Sequence, residues 1–205
     1  MYNKMINVVL DLDATLISAL SRKELNKKKQ AKKMNKFKYA DMEGYYTVFE
    51  RPYLQEFLDY LFSNFNVSIW TAASKDYALF IIDKIIAPKE TNRKIDFIFF
   101  SYHCNWSKKI KKGTKDLSMF WDIHKMNGYT PSNTVILDDY DEVRDTQPGN
   151  CIEAVPFDFL DKGSEDDSFL KKIIPKLEDM KEKVLAAIKD KPDIKIKPSS
   201  YIQEK

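Results

Sequence analysis

The sequence contains few of the residues that build metal clusters, disulfide scaffolds or glycine loops. Its 205 residues include two cysteines, two histidines and five glycines. Two cysteines are too few for a disulfide-rich scaffold, and no cysteine–histidine cluster has the spacing of a structural zinc site. We therefore expect a protein of a reducing, intracellular compartment.

Long apolar runs and phosphate-binding glycine loops are also missing. No stretch approaches the ~20 apolar residues that a membrane-spanning helix needs, and the N-terminus lacks the pattern of a secretory signal. We expect a soluble protein with no membrane partner, and the choice between nucleus and cytoplasm stays open. The absence of a glycine-rich loop ending in Gly-Lys-Ser/Thr disfavours an ordinary ATPase.

A large excess of one sign of charge is also lacking, although charged residues are abundant. The chain has 34 basic and 31 acidic residues, for a net charge of +3, which does not by itself favour nucleic-acid binding. Residues 21–38 nevertheless form a basic excursion, with seven lysines from Lys27 to Lys38. It is either a solvated, partly helical face or a patch for an acidic substrate, nucleic acid or nuclear import.

Three short apolar segments, typical of buried parallel strands, are each followed by acidic or hydroxyl side chains. They are Met5–Leu10 before Asp11 and Asp13, Val67–Trp70 before Thr71, and Thr134–Leu137 before Asp138 and Asp139. In open α/β sheets, ligands bind at the carboxyl ends of the strands. We therefore expect these side chains to share one site, which Lys115 reaches from a loop or helix start.

Helical patterns alternate with these strands, which predicts a parallel α/β sheet. Ile95–Phe100 is a further predicted strand, and the basic segment Trp106–Thr114 is predicted to be a loop or short hairpin. We predict a single domain over residues 1–189 with an insertion at about 95–114. The tail over residues 190–205 has few apolar residues and is expected to be loosely held.

The predicted site has the composition of a phosphate and Mg²⁺ site. Mg²⁺ prefers oxygen ligands, with one or two carboxylates from the protein and the rest from substrate phosphate and water. A lysine supplies positive charge to phosphate oxygens.

Four short motifs together resemble the FCP/SCP branch of the haloacid dehalogenase (HAD) superfamily, phosphatases that act on the C-terminal domain of RNA polymerase II. They are Asp11-Leu12-Asp13-Ala14-Thr15, Trp70-Thr71-Ala72-Ala73, Lys115-Asp116-Leu117 and Asp138-Asp139. The resemblance runs from about Met5 to about Leu177. It implies a HAD-like Rossmannoid parallel sheet flanked by helices, with a small β-hairpin or insertion between the second and third motifs.

The resemblance also implies roles for individual residues. Asp11 is the expected nucleophile that forms an aspartyl-phosphate, and Asp13 the general acid and then base. The implied catalytic residues are Asp11, Asp13, Thr71 and Lys115, the phosphate-binding residues are Thr15, Thr71, Ala72 and Lys115, and the Mg²⁺ ligands are Asp11, Asp13, Asp138 and Asp139. Which of the last two acids binds the metal directly stays open.

The resemblance favours a Mg²⁺-dependent phosphatase of phosphoserine and phosphothreonine proteins, with the C-terminal domain of RNA polymerase II as a candidate substrate. An arginine often found after the third strand in small family members is missing from Phe100-Ser101-Tyr102-His103. Two alternatives stay open. The basic runs at Lys27 and Lys108 motivate a phosphatase of nucleotides or nucleic-acid ends, and a non-catalytic phosphate-binding interaction module could use the same scaffold.

Overall fold

The computed structural model describes residues 6–111, 113–190 and 195–203, and this part of the chain contains eight strands. They are β1 (Asn7–Leu10), β2 (Ile17–Ser21), β3 (Tyr39–Met42), β4 (Tyr46–Glu50), β5 (Asn66–Trp70), β6 (Ile95–Phe99), β7 (Thr134–Asp138) and β8 (Cys151–Glu153). Five strands form a parallel sheet in the order β6-β5-β1-β7-β8, and three form an antiparallel sheet in the order β2-β4-β3.

The described residues also form seven α-helices. They are α1 (Lys27–Met34), α2 (Leu54–Asn64), α3 (Lys75–Ile81), α4 (Ser101–Lys111), α5 (Asp141–Thr146), α6 (Phe169–Asp190) and α7 (Ser200–Gln203). Two short π-helical segments are also present, at Ile82–Ile86 directly after α3 and at Met119–Ile123. No described helix is both long and apolar enough to cross a bilayer.

Strand β1 is the centre of the parallel sheet, and all four of its residues are buried. Val8 and Leu10 belong to the large apolar cluster on one face, and Val9 belongs to a second cluster on the other. Leu10 pairs with Ile69 on one side and Leu137 on the other, so the three strands end at the same level. This register confirms the predicted parallel α/β sheet and brings its motifs to one edge.

The predicted small antiparallel element is present, but it lies between the first and second motifs and not between the second and third, where we expected a small β-hairpin or insertion. Residues 95–114 instead supply β6, an edge strand of the main sheet, and α4. Helix α4 buries only Cys104 and Ser107, so it has no continuous apolar stripe. Packing stabilises such a helix more than its own pattern does, which explains why its part from Trp106 onward is predicted to be a loop or short hairpin.

Helix α1, within the basic excursion, is docked on the small sheet. Met34 packs in a buried cluster with Leu20, Phe49 and Phe159. The Lys33 ammonium donates to a backbone carbonyl of the loop before α6, and Lys36 forms an ion pair of 2.6 Å with Glu165 in the same loop. One part of the basic run therefore has a structural role.

Residues 195–203, within the predicted tail, contact the rest of the chain. Ser199 and Ile202 are buried, and the Ser199 hydroxyl donates a 2.6 Å hydrogen bond to the carbonyl of Pro148. Ile202 joins the large apolar cluster, which also contains Leu177 and Val184 of α6. Residues 191–194 and 204–205 of the predicted tail lie outside the described residues.

Candidate active site

A tight turn directly after β1 carries the first motif. The Leu16 amide donates to the carbonyl of Leu12 at 2.8 Å, which closes one helical turn, and the chain then enters β2. Ala14 lies at φ +59° inside this turn. A left-handed conformation is uncommon for a residue with a Cβ, and such strain is concentrated at functional sites.

Lys115 lies between two carboxylates at the end of the sheet. Its Nζ is 2.5 Å from Oδ1 of Asp11 and 2.7 Å from Oδ2 of Asp138, and all three side chains are buried. Lys115 also has a positive φ, of +55°. Asp11 and Lys115, which are 104 positions apart in the sequence, thus meet so that one buried ammonium group lies between two acids.

Burial dominates the electrostatics of this group. Removal from water raises the pKa of Asp11 to about 8, because the opposing charge of Lys115 only partly compensates and the charge of Asp138 adds to the rise. Burial also raises the pKa of Asp138. For Lys115, burial alone would lower the pKa, but the two carboxylates hold it above its usual range. The lysine is therefore positively charged.

Asp139 completes a cluster of three carboxylates. Single oxygens of Asp11, Asp138 and Asp139 lie within 4.8 Å of one another. The Thr15 hydroxyl donates a 2.9 Å hydrogen bond to Oδ1 of Asp139. An all-oxygen set of this size matches the preference of a hard divalent cation such as Mg²⁺.

The two acids of the fourth motif differ in how many oxygens are already engaged. Asp138 uses Oδ2 for Lys115 and accepts the backbone N–H of Tyr140 on Oδ1 at 2.9 Å. Asp139 engages one oxygen with Thr15, and its other oxygen accepts no hydrogen bond from the described residues. Asp139 therefore has one carboxylate oxygen without a hydrogen-bond partner among the described residues, whereas both oxygens of Asp138 have one.

Asp13, the second acid of the first motif, has a partner that sequence reasoning missed. The hydroxyl of Tyr77 in α3 donates a 2.6 Å hydrogen bond to Oδ1 of Asp13. Burial raises the pKa of Asp13, and the Tyr77 bond opposes this rise. In the sequence Tyr77 is one member of an apolar helical stripe, so its pattern gave no signal of a polar role.

Thr71 follows β5 and presents its hydroxyl to the same site. Its amide continues the sheet by donating to Phe99 at 3.0 Å. Its Oγ1 accepts the N–H of Ala73 at 3.0 Å, so the hydroxyl proton is free to be donated to a ligand.

One pocket of about 320 Å³ gathers most of the predicted site residues. Those that line it are Asp11, Asp13, Thr71, Ala72, Lys115, Asp138 and Asp139. Thr15, predicted to bind phosphate, is fully buried and is not among the lining residues, so its contact with Asp139 is its clearest role. Helix α4 adds four lining residues that are not among the predicted site residues, which are Ser101, Cys104, Asn105 and Lys108.

Comparison with known protein families agrees with this geometry. The family model of the NLI interacting factor-like phosphatases matches residues 6–188. The chain belongs to this family. The resemblance to FCP/SCP-type phosphatases predicted from the motifs is confirmed, and the protein is a phosphatase of the FCP type.

Two viral proteins are similar to this chain over nearly their full length. The CTD phosphatase-like protein 355R of Invertebrate iridescent virus 6 is 44% identical over 173 residues, which are 82% of this chain and 95% of that protein. The protein of the same name from Invertebrate iridescent virus 3 is 43% identical over 185 residues, or 87% and 98% of the two chains.

Solved structures support the fold of this family member. The fission yeast RNA polymerase II CTD phosphatase Fcp1 bound to beryllium fluoride superposes with a TM-score of 0.53 at 18% identity, over 91% of this chain and 51% of that one. A second structure of Fcp1, described as an essential RNA polymerase II CTD phosphatase, gives the same TM-score at 19% identity, over 96% and 56%. The chain thus spans about half the length of these structures, and the HAD-like fold is confirmed.

In this NLI interacting factor-like phosphatase, Arg51 holds the turn that carries the first motif in place. The guanidinium is fully buried and donates to the carbonyls of Thr15 at 2.9 Å and Val155 at 2.8 Å. Its other nitrogens contact both carboxylate oxygens of Asp167 at 3.0 and 2.9 Å. This two-pronged pairing is a geometry that a lysine cannot reproduce.

Proposed function

We propose that the protein is a Mg²⁺-dependent phosphatase that hydrolyses phosphoserine and phosphothreonine in proteins through an aspartyl-phosphate on Asp11. The observation that carries the proposal is the buried Asp11–Lys115–Asp138 group, with Asp139 beside it, in a chain that belongs to a phosphatase family.

Asp11 has the position that a nucleophile requires. Its Oδ1 is held by Lys115, while Oδ2 accepts no hydrogen bond from the described residues and is left to attack phosphorus. The ionised form of Asp11, which the positive charge of Lys115 favours, attacks, so that the bond between Oδ2 and phosphorus forms as the bond to the serine oxygen breaks. Covalent catalysis of this kind replaces one difficult displacement by two easier ones.

Asp13 carries the protons of both half-reactions. In the first, its carboxylic acid gives a proton to the departing serine oxygen, and burial favours this protonated form by raising the pKa of Asp13. In the second, the resulting carboxylate takes a proton from the water that attacks the phosphorus of the aspartyl-phosphate. Inorganic phosphate leaves, and both acids return to their starting states.

Three further groups hold the phosphoryl group and balance its charge. Thr71 donates its hydroxyl proton to a phosphoryl oxygen, and Lys115 supplies a fixed positive charge next to Asp11. Asp11, Asp139 and the backbone of Asp13 would hold Mg²⁺, with Asp138 keeping Lys115 in place. When bound, the ion neutralises phosphoryl charge, and phosphoryl transfer is catalysed mainly by such positioning and electrostatics.

A phosphorylated protein is the substrate class that the relatives suggest. Two viral relatives with more than 40% identity are named CTD phosphatase-like, and the similar Fcp1 structures are of RNA polymerase II CTD phosphatases. We therefore propose the phosphorylated C-terminal domain of RNA polymerase II as the first substrate to test.

The test compares phosphorylated substrates with Mg²⁺ present and with Mg²⁺ removed. We expect the purified protein to release phosphate from phosphoserine peptides with Mg²⁺ but not with EDTA, and Asp11→Asn to lose at least about 10³-fold in kcat. Asp145→Asn, on the exposed side of α5, is the matched control and should keep full activity. Faster release from mononucleotides or from 3′- or 5′-phosphorylated oligonucleotides would instead support a nucleic-acid end phosphatase. No turnover and no beryllium fluoride adduct at Asp11 would contradict both.

A further inference from the structure

A second pocket, rich in positive charge, lies at one end of the small antiparallel sheet. It has a volume of about 690 Å³, and Arg22, Lys23 and Lys28 line it together with Asp41 and Thr47. We call it the basic pocket. Arg22 and Lys23 immediately follow β2, and Lys28 lies in the first turn of α1.

The three cations of the basic pocket are exposed, and none has an acidic partner within 4.0 Å in the described part of the chain. Two nearby acids each accept a backbone amide. Glu24 accepts the Ser21 amide at 2.8 Å, and Asp41 accepts the Gly44 amide at 2.6 Å. The positive charge is therefore available to a ligand, unlike that of Lys36, which is paired with Glu165 in the loop before α6.

A short series of contacts runs from the edge of the basic pocket to Asp13 in the active site. In the small sheet Ser21 pairs with Tyr46, and the next residue, Arg22, donates its amide to the carbonyl of Tyr45 at 3.1 Å. The Tyr46 ring contacts the Tyr77 ring edge-on at 5.5 Å, and Tyr77 is the residue bonded to Asp13. Tyr46 is 41% exposed, so a bound chain can pass over it from one pocket to the other.

We propose that the basic pocket binds a second phosphorylated residue of the same substrate protein, a few residues from the phosphoserine held at Asp11. The proposal rests on the proposed function and specifies its substrate class as multiply phosphorylated peptides. An extended peptide advances ~3.3 Å per residue, so a spacing of several residues suits two separate pockets. The Arg22 guanidinium can bind a phosphate through two parallel hydrogen bonds, and Lys23 and Lys28 add charge.

The experiment compares peptides that carry one phosphoserine with peptides that carry a second phosphoserine three to six residues away on either side. We expect the better doubly phosphorylated peptide to have a kcat/KM about tenfold higher, mainly through KM. The triple variant Arg22→Ala, Lys23→Ala, Lys28→Ala should lose this advantage. Its turnover of p-nitrophenyl phosphate and of the singly phosphorylated peptide should match that of the unaltered protein.

A charge-matched control separates the basic pocket from general electrostatic attraction. Lys94, Lys176 and Lys189 are exposed and lie on other segments, and changing all three to alanine removes the same net charge. This control should keep the preference for the doubly phosphorylated peptide. If the control loses it too, or if no second phosphate raises kcat/KM, the basic pocket does not have this role.

The outcomes also separate this inference from the proposed function. Asp11-dependent turnover of single phosphopeptides without any second-phosphate effect overturns the inference and leaves the function standing, whereas absence of Asp11-dependent peptide turnover overturns both. Binding of single-stranded oligonucleotides that the triple variant abolishes, with no second-phosphate effect on peptides, would assign the basic pocket to nucleic acid and overturn the inference.

Discussion

Tyr77 and Asp13 are joined by a 2.6 Å hydrogen bond that links helix α3 to the turn after β1. The bond holds one oxygen of the proposed general acid, so the other oxygen keeps a fixed position relative to the pocket. Burial and the neighbouring acid raise the pKa of the Tyr77 hydroxyl, which therefore stays protonated and remains a donor. Tyr77 acts on the reaction through Asp13 and is a positioning residue.

Tyr77→Phe should slow the hydrolysis of esters with poor leaving groups in particular. A serine alkoxide needs the proton of Asp13 to depart, whereas p-nitrophenolate leaves without it. We expect kcat/KM, which reports the first half-reaction only, to fall about tenfold for phosphoserine peptides, within the range of charged hydrogen bonds, and less than about twofold for p-nitrophenyl phosphate. Steady-state kinetics on both substrates measures the difference.

Tyr60→Phe is the matched control for this variant. Its hydroxyl also donates to an acid, Glu178, but on the contact between α2 and α6 away from the pocket. It should leave the ratio of the two rates unchanged. Equal losses on both substrates with Tyr77→Phe would mean that Tyr77 supports the fold and does not position the general acid.

Asp11→Asn should make the metal-free protein more stable relative to the wild type, by an amount that grows as pH rises, although it abolishes activity. Burial raises the folded-state pKa of Asp11 to about 8, above about 3.9 in the unfolded chain. Between these values the folded state binds more protons, so the contribution of Asp11 to stability is lost as pH rises through this window. Asparagine does not titrate, so the variant should gain roughly 1–3 kcal/mol on the wild type between pH 5 and pH 8. Urea unfolding of both proteins with EDTA at pH 5 and pH 8 measures this gain. A difference in the free energy of unfolding that does not change with pH would contradict the raised pKa of Asp11.

Lys115→Met should both inactivate the protein and destabilise it. Removal of the ammonium group leaves two buried carboxylates without their shared partner, which typically costs about 3–5 kcal/mol when one member of a buried ion pair is deleted. Lys111→Met is the control, because Lys111 pairs with an Asp122 that is 51% exposed, and it should cost at most about 1 kcal/mol. Urea denaturation at pH 8 compares them, and equal losses would argue against a buried charge group.

Thr15→Val should weaken the binding of Mg²⁺ while leaving kcat largely intact when Mg²⁺ is saturating. The hydroxyl orients Asp139, and loss of such a supporting hydrogen bond typically lowers metal affinity about 10- to 100-fold. Activity and calorimetric titrations with Mg²⁺ would give the apparent Kd. Thr91→Val removes a hydroxyl that bonds the carbonyl of Pro88, outside the pocket, and should leave that Kd unchanged.

The sequence carried enough signal to predict the main sheet and most of the pocket. Strands β1, β5 and β7 are short, apolar and buried, and each ends directly before a polar motif, so their parallel alignment brings those motifs together. Once the strands are parallel, the meeting of Asp11, Thr71 and Asp138 at one edge follows from the register.

Features that depend on packing between distant segments could not be predicted. Helix α4 has two buried residues in eleven, so no apolar period identifies it. The partner of Asp13 is a tyrosine 64 positions away in an ordinary helical stripe. The different engagements of Asp138 and Asp139 come from Lys115 and Thr15, which approach from other parts of the fold.

Arg51 sets a condition on when the protein can become active during its synthesis. Its buried guanidinium needs the carbonyl of Val155 and the carboxylate of Asp167, which leave the ribosome more than a hundred residues after Arg51 does. Until then Arg51 cannot take up its buried position against the turn that carries Asp11, because the charge of its guanidinium would have no carboxylate partner. A nascent chain that stops short of Asp167 is therefore expected to have no phosphatase activity, even though all four motifs have already been translated.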